Sequence, residues 1–172
     1  MLGQLEPSWS GEYLQAPGTV SLNAPEGVRK IGLVWGGNRK FAFDHLRSFE
    51  FETYRALLDV PETAFFSLQV GDRSAAVPGG IVDLGPSLTD FAETAALASL
   101  DLLITSDTAI AHLAGAMGCP AWVLLHRSAD WRWLTGRGDS PWYPSLRLFR
   151  QAALGDWQSV INEVRAALLE RP

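Results

Sequence analysis

The apolar positions of the chain fall into short runs that predict six β-strands. These runs are rich in β-branched and aromatic residues and are bounded by turn residues or by segments with helical spacing. They occur at residues 30–35, 63–70, 81–85, 101–107, 121–126 and 146–151. Because they are apolar throughout rather than alternating with polar residues, they indicate strands buried on both faces of a parallel sheet.

The segments between the strands contain predicted helices. Apolar residues recur three and four positions apart at residues 49–60, 89–100, 108–118 and 157–171. Thr89 or Asp90 is a suitable N-cap for the second helix, and Asp156 for the last. Strands that alternate with helices predict an α/β fold, here a single Rossmann-like, doubly wound sheet of about six strands in the order 3-2-1-4-5-6.

Residues 1–28 differ in composition from the rest of the chain. They are rich in Pro, Gly and Ser and carry isolated aromatic residues at Trp9 and Tyr13. We interpret them as an N-terminal arm or linker that these rings could pack against the domain. A chain of 172 residues then holds one domain, at residues 29–172.

Composition narrows the class of function. Apolar residues make up 47% of the chain, which is enough for a sizeable core, and the net charge of −5 argues against a duplex nucleic-acid binder. The single cysteine, Cys119, excludes an internal disulfide and fits a reducing, cytoplasmic compartment. No apolar run is long enough for a membrane span.

The fold predicts where a ligand would bind. In a doubly wound sheet, ligands bind at the carboxyl ends of the strands, beside the point where the strand order reverses. The loops delivered there are residues 36–48, 71–80 and 106–108, with 127–145 close by.

The junction between the fourth strand and its helix is a predicted anion site. A helix N-terminus presents unpaired N–H groups and a positive dipole end, and Thr108 and Ala109 are small enough for a phosphate to approach. His112 lies one turn after Thr108, within reach of a phosphate oxygen there. The alternative is that Ser106 or Asp107 only caps the helix and His112 is structural. Asp107 could also accept hydrogen bonds from sugar hydroxyls.

This junction also carries a family resemblance. The stretch DTAIAHLAGAMGCP (107–120) resembles the D-T-G/A-x-x-H-L-A-A/G-A-x-G-x-P signature of heptosyltransferase-type glycosyltransferases of family nine. The wider pattern is similar to glycosyltransferase-like domains that follow tetratricopeptide repeats in bacterial proteins, kin to the O-linked N-acetylglucosamine transferases. Further matching pieces are GLVWGGN (32–38), Arg47-Ser48, FFSLQVG (65–71), DLGPSLTDFAETAALASLDLLITSDTAIAHLAGAMGCPAWVLL (83–125), which includes the signature, and DWRWL with SPWYPSLRLFRQ (130–151).

The resemblance implies one lobe of a two-lobed GT-B fold, the lobe that binds a nucleoside diphosphate sugar as donor. It also implies inverting transfer without an essential metal, and the sequence contains no D-x-D pair to hold one. No cofactor is expected besides the donor itself. Since the resemblance extends only to this second lobe, expected partners are a separate acceptor-binding or repeat domain, or a second copy of the chain.

In the resembling proteins an Arg or Lys of the loop after the first strand contacts the phosphates, which implies that role for Arg47, with Ser48 beside it. Together with His112, Arg47 is the candidate catalytic residue, offsetting charge on the leaving diphosphate. Candidate donor-binding residues in the same loop are Gly36, Gly37 and Asn38, although the family's N-P-x-H pattern is absent at residues 38–41. A solvated loop is the alternative.

Two further features have two interpretations each. Gln69 matches the Gln of the family motif S-L-Q-x-G, so it either reaches the base or ribose or ties down its own loop. The aromatic residues Trp131, Trp142 and Tyr143 either roof the nucleotide or pack in the core, and for Trp133 we favour the core.

Whether the chain is an enzyme stays open at this level. G-x-G-x-x-G is absent after the first strand, which disfavours a dinucleotide reductase. A general base is required for transfer, and Asp44 or His45 are candidates that no spacing requires. The alternative function is a non-catalytic nucleotide-binding or protein-interaction module derived from such a lobe.

Overall fold

The computed structural model describes residues 11–16, 18–90 and 95–170 and shows one six-stranded sheet. Its strands are β1 Arg29–Val34, β2 Thr63–Ser67, β3 Val82–Asp83, β4 Leu102–Ser106, β5 Ala121–Leu125 and β6 Leu146–Arg150. All neighbouring strands pair in parallel, in the order β3-β2-β1-β4-β5-β6. The predicted fold class and strand order are therefore confirmed.

The described part of the chain contains α-helices and several 3₁₀ turns. The α-helices are α1 Asp44–Arg47, α2 Ala109–Ala116 and α3 Trp157–Leu169. The 3₁₀ segments are Phe51–Leu57, Gly71–Ala76, Gly85–Ser87, Ala95–Ser99 and Trp131–Trp133. Of the helix predicted at 89–100, the structure shows the 3₁₀ part Ala95–Ser99, while residues 91–94 lie outside the described ranges.

The α-helix predicted at residues 49–60 is wrong in type. The structure has a seven-residue 3₁₀ helix, Phe51–Leu57, whose buried side chains are Phe51, Tyr54 and Leu57. These three residues are spaced by three positions, which matches the three residues per turn of a 3₁₀ helix and puts them on one stripe. The spacing therefore suits this tighter helix better than an α-helix.

The core has two layers, one on each face of the sheet. On one face, α3 and the 3₁₀ helix Phe51–Leu57 pack against the strands. The other face is covered by α2, by Leu97 and by Trp133, which is fully buried. The interpretation of Trp133 as a core residue is confirmed.

Tyr54 links the two central strands at the place where the strand order reverses. Its buried hydroxyl is 3.1 Å from the Val34 carbonyl oxygen and 3.3 Å from that of Ile104. Val34 ends β1, and Ile104 is the middle residue of β4. The floor of the crevice at the carboxyl ends is therefore pinned by a side-chain hydroxyl from the neighbouring 3₁₀ helix.

At the C-terminus of α2, the last three carbonyl groups all accept hydrogen bonds from backbone amides. The Cys119 amide donates to Ala114 and the Gly118 amide to Gly115, with Gly118 in the left-handed region at φ +69°, as in a Schellman motif. The amides of Tyr13 and Leu14 both donate to the Ala116 carbonyl. These two residues thus lie against the end of α2 that points away from the carboxyl edge of the sheet.

Among the described residues, no helix combines the length and the apolar character that crossing a membrane requires.

Two neighbouring leucines in α3 test this packing. Leu168 is 2% exposed in the core, whereas Leu169 is 45% exposed. We expect Leu168→Ala to lower the free energy of unfolding by about 2–5 kcal/mol because it leaves a cavity. Leu169→Ala, the matched control, should change it by less than about 1 kcal/mol. Urea denaturation measures both, and equal losses would show that α3 does not dock as described.

Candidate functional site

A cavity of about 550 Å³ opens at the carboxyl ends of β1 and β2, beside the start of α2. We call it the first cavity. It brings together Arg47 and six of the predicted donor-binding residues: Gly36, Gly37, Asn38, Gln69, Thr108 and Ala109. The loops at 36–48, 71–80 and 106–108 therefore converge here, as the topology predicts.

The start of α2 faces this cavity without a side-chain cap. Thr108 is the N-cap, with extended backbone at φ −136° and ψ 173°, and its side chain makes no capping hydrogen bond to the helix. The alternative in which Ser106 or Asp107 caps the helix is wrong, because the helix begins later and Ser106 is fully buried in β4. The Ala111 amide donates to the Thr108 carbonyl oxygen at 3.0 Å, so the N–H groups of the first turn that remain available to an anion are those of Ala109 and Ile110.

Arg47 is held next to this helix start. Its Nη1 donates to the Asp107 carbonyl oxygen at 2.9 Å, and its guanidinium carbon lies 4.6 Å from the centre of the Phe41 ring. A Cβ on Gly37 would come within 2.5 Å of the Arg47 Nη2. The absence of a side chain at Gly37 therefore allows the guanidinium to lie against the loop backbone.

A buried carboxylate, Asp44, organises the loop after β1. Ser48 donates to its Oδ1 at 2.9 Å, Arg47 donates to the same oxygen at 3.3 Å, and Arg73 donates to Oδ2 at 2.8 Å. Ser48 Oγ in turn accepts from the Gly37 amide at 3.0 Å. Ser48 is buried, and its hydroxyl connects the Asp44 carboxylate to the backbone of the loop at Gly37.

This network determines the charge of Asp44. Burial alone would raise the pKa of its carboxyl, but the hydrogen bonds from Ser48, Arg73 and Arg47 outweigh burial and hold that pKa below the usual value. A carboxylate stabilised in this way is a poor proton acceptor. The geometry therefore does not favour Asp44 as a general base, whereas His45 is exposed on α1.

Gln69 ties the ends of β1 and β2 together. Its Oε1 accepts from the amides of Trp35 and Gly36, and its Nε2 donates to the carbonyl oxygens of Gly36 and Val70, at 3.0–3.1 Å. Two lone pairs and two N–H groups are all that a primary amide offers. Of the two interpretations from sequence, the structure shows the loop tie, and a polar contact to a base or ribose stays a prediction.

A second cavity, of about 450 Å³, lies on the other side of Arg47. Asp107 and His112 line this second cavity, and Arg47 lines both. The His112 ring stacks on Trp133 with centroids 5.0 Å apart and an angle of 21°, and its Nδ1 lies 3.4 Å from the Tyr143 hydroxyl. The predicted site residues are thus divided between two cavities that meet at Arg47.

Both histidines of the second cavity favour the neutral form. Burial lowers the pKa of His112, and the Asp107 carboxylate offsets this only in part. Burial likewise lowers the pKa of His126, whose Nδ1 is buried without a hydrogen-bond partner among the described residues. Sequence reasoning missed His126, although a titratable residue directly after the apolar run of β5 is a usable signal.

The aromatic residues of loop 127–145 have different environments. Trp131 and Trp142 are exposed, their ring centres lie 6.2 Å apart, and the Trp142 Nε1 donates to the Arg132 carbonyl. Tyr143 packs against α2, where a Cβ on Gly115 would lie 2.3 Å from its ring. A roof over a nucleotide formed by Trp131 and Trp142 stays a prediction.

Within the described ranges, no group of three or more His, Cys, Asp or Glu side chains is placed to hold a metal ion.

Comparison with known proteins places this site on a known fold. No family model matches the chain. Protein FlbA of Caulobacter vibrioides is 33% identical over 150 residues, and the match covers 81% of this chain and 25% of FlbA. The chain therefore spans about a quarter of the length of the curated relative that it matches.

A solved structure matches most of the chain. The E. coli ADP-heptose LPS heptosyltransferase II aligns with a TM-score of 0.56 at 18% identity, over 85% of this chain and 48% of that protein. An identity this low shows the fold alone. The chain thus has a Rossmann-like fold that corresponds to about half of that heptosyltransferase.

Proposed function

We propose that this chain binds a nucleoside diphosphate sugar and serves as the donor-binding lobe of a metal-independent, inverting glycosyltransferase. The observation that carries the proposal is the uncapped N-terminus of α2, which opens beside Arg47 onto the first cavity. The diphosphate lies there, where backbone N–H groups, the helix dipole and a guanidinium all favour negative charge.

The size and charge of the first cavity support a nucleotide-sized anion. Its volume of about 550 Å³ falls within the range of small-molecule sites. Four cationic side chains line it, Arg39, Lys40, Arg47 and Arg73, against the single carboxylate of Asp72. This excess of positive charge is notable in a chain whose net charge is −5, and it attracts phosphate rather than a neutral ligand.

In this proposal Arg47 and His112 act on the leaving group. Arg47 sits between the two cavities, so its guanidinium offsets the charge that develops on the diphosphate as the bond to the sugar breaks. His112 hydrogen-bonds a phosphate oxygen from the second cavity side, and Asp107 accepts from sugar hydroxyls. The nucleoside then occupies the first cavity, next to Gly36, Gly37 and Asn38.

The fold likeness supports a two-lobed assembly. The heptosyltransferase is named for ADP-heptose, a nucleoside diphosphate sugar, and this chain matches about half of it. Inverting transfer needs an acceptor hydroxyl and a base on the opposite face of the sugar. We therefore propose that a separate acceptor-binding or repeat domain, or a second copy, completes the enzyme. The link to repeat-associated glycosyltransferases and the cytoplasmic location stay predictions.

Donor binding is tested by calorimetric titration with ADP, UDP, GDP and their sugar conjugates without metal. We expect one of these nucleotides to bind. The double variant Arg39→Ala/Lys40→Ala should weaken binding about two- to fivefold, because both cations are exposed to solvent. Arg55→Ala, an exposed arginine outside both cavities, is the control. Absence of binding at millimolar nucleotide would overturn the proposal.

His112 is tested through the pH dependence of binding of the nucleotide sugar, in which no phosphate titrates near neutral pH. A phosphate next to His112 favours its protonated form, so affinity should rise as the pH falls from about 8 to 6. His112→Ala should abolish that rise and weaken binding by about 1–3 kcal/mol. The melting temperature of His112→Ala should be only slightly lower than that of the wild type, because the variant loses the stacking of the imidazole on Trp133.

The exposed His45 provides the matched control for this experiment. His45→Ala should keep both the affinity and its pH dependence. A large loss of thermal stability in His112→Ala with unchanged affinity would show that His112 is structural instead.

Measurement of sugar transfer distinguishes a donor-binding lobe from a complete enzyme. We expect the chain alone to give at most slow donor hydrolysis, because one open lobe leaves the acceptor face of the sugar to water. Incubation with nucleotide sugars and candidate acceptors, followed by mass spectrometry, measures this, with Arg47→Ala as control. Multiple turnovers that depend on Arg47 would show that the chain itself supplies the base.

A further inference from the structure

Arg73 is a cation of the first cavity that does not belong to the loop after β1. It lies in the 3₁₀ segment Gly71–Ala76, which follows β2, and its side chain is 10% exposed. Its Nη2 donates to Asp44 Oδ2 at 2.8 Å, while Arg47 Nε lies 3.3 Å from Oδ1 of the same carboxylate. One carboxylate therefore holds two guanidinium groups, one on each oxygen.

This arrangement leaves one positive charge without an equal partner. Two guanidinium groups face one buried carboxylate, and the next acid is Glu50, whose Oε1 lies 3.8 Å from Arg73 Nη1. Glu50 is 75% exposed, so its pairing with Arg73 is weak in water. A largely buried cation that is only partly compensated costs free energy unless an anion joins it.

The hydrogen-bond donors of Arg73 indicate where that anion lies. The Nε is buried and has no partner among the residues that the structure describes, and Nη1 is beyond hydrogen-bond distance of Glu50. The Arg73 side chain contacts Gly36, where an added Cβ would be 2.6 Å from Nε. Two donor groups of a side chain that lines the first cavity are thus left without a close acceptor among the described residues.

We propose that Arg73 is a second anion-binding residue, which forms with Arg47 a clamp across Asp44 for the two adjacent phosphates of a diphosphate. Asp44 is the positioning residue that fixes the spacing of the two guanidinium groups. This inference rests on the proposed function and adds to it a preference for diphosphates over monophosphates. Arg47 alone would accept either, whereas two arginines held apart by one carboxylate match two neighbouring phosphoryl groups.

The test compares wild type, Arg73→Lys and Arg73→Gln in calorimetric titrations. The probes are inorganic pyrophosphate against inorganic phosphate, and ADP, UDP and GDP against their monophosphates. Lysine keeps the ion pair with Asp44 but lacks the further donors of the guanidinium, so the fold is retained. We expect both variants to bind diphosphates at least about tenfold more weakly, with monophosphate affinity changed much less. The ratio of the two affinities is a readout that a purely structural role would not move.

Neighbouring acids supply matched charge controls. Glu50→Gln removes the carboxylate beside Arg73 and should strengthen diphosphate binding by about two- to threefold. Glu52→Gln removes an acid of similar exposure that pairs with Arg55, and it should have no effect. Melting temperatures of all variants without ligand verify that each is folded.

The outcomes separate this inference from the proposed function. Diphosphate binding that is equal in wild type and both Arg73 variants overturns the clamp but leaves donor binding intact. Pyrophosphate binding that depends on Arg73, without binding of any nucleoside diphosphate, supports the clamp and overturns the donor. No binding of any probe to the wild type overturns both.

Discussion

The geometry of the candidate site depends on one buried carboxylate. Asp44 is almost completely enclosed, and its oxygens accept from Ser48, Arg47 and Arg73, which come from two loops that follow different strands. Without the Asp44 carboxylate between them, the positively charged side chains of Arg47 and Arg73 would repel each other. The carboxylate therefore joins the loops after β1 and β2 into one unit and sets the charge of the cavity between them.

The fold was predictable because its determinants are local. Each strand is an apolar run that ends at turn residues, and six such runs separated by helical segments allow few topologies. The 3₁₀ helix Phe51–Leu57 was missed because apolar residues three positions apart also occur in α-helices, although its three buried residues all keep that spacing. The third strand was predicted too long, since only Val82 and Asp83 pair with β2.

The candidate site was predictable only in part because its determinants are distant in sequence. The loops at the carboxyl edge follow from topology, but the side to which each side chain points does not. His112 follows Thr108 by one turn as predicted, yet its ring stacks on Trp133, which is 21 residues later, and so lines the second cavity. Arg73 pairs with Asp44, which lies 29 residues earlier in the sequence, and no local sequence pattern predicts such a pair.

The two ends of α2 differ in how far their terminal backbone groups are hydrogen-bonded. At its C-terminus, amides of the Schellman turn and of residues 13–14 donate to the last three carbonyl groups. At its N-terminus, the side chain of the N-cap residue makes no capping hydrogen bond. The hydrogen bonds of this helix are therefore complete at one end and incomplete at the other. In thermodynamic terms, an anion bound at the open end acts as the missing cap, so ligand occupancy and the local folding equilibrium of the first turn of α2 are coupled.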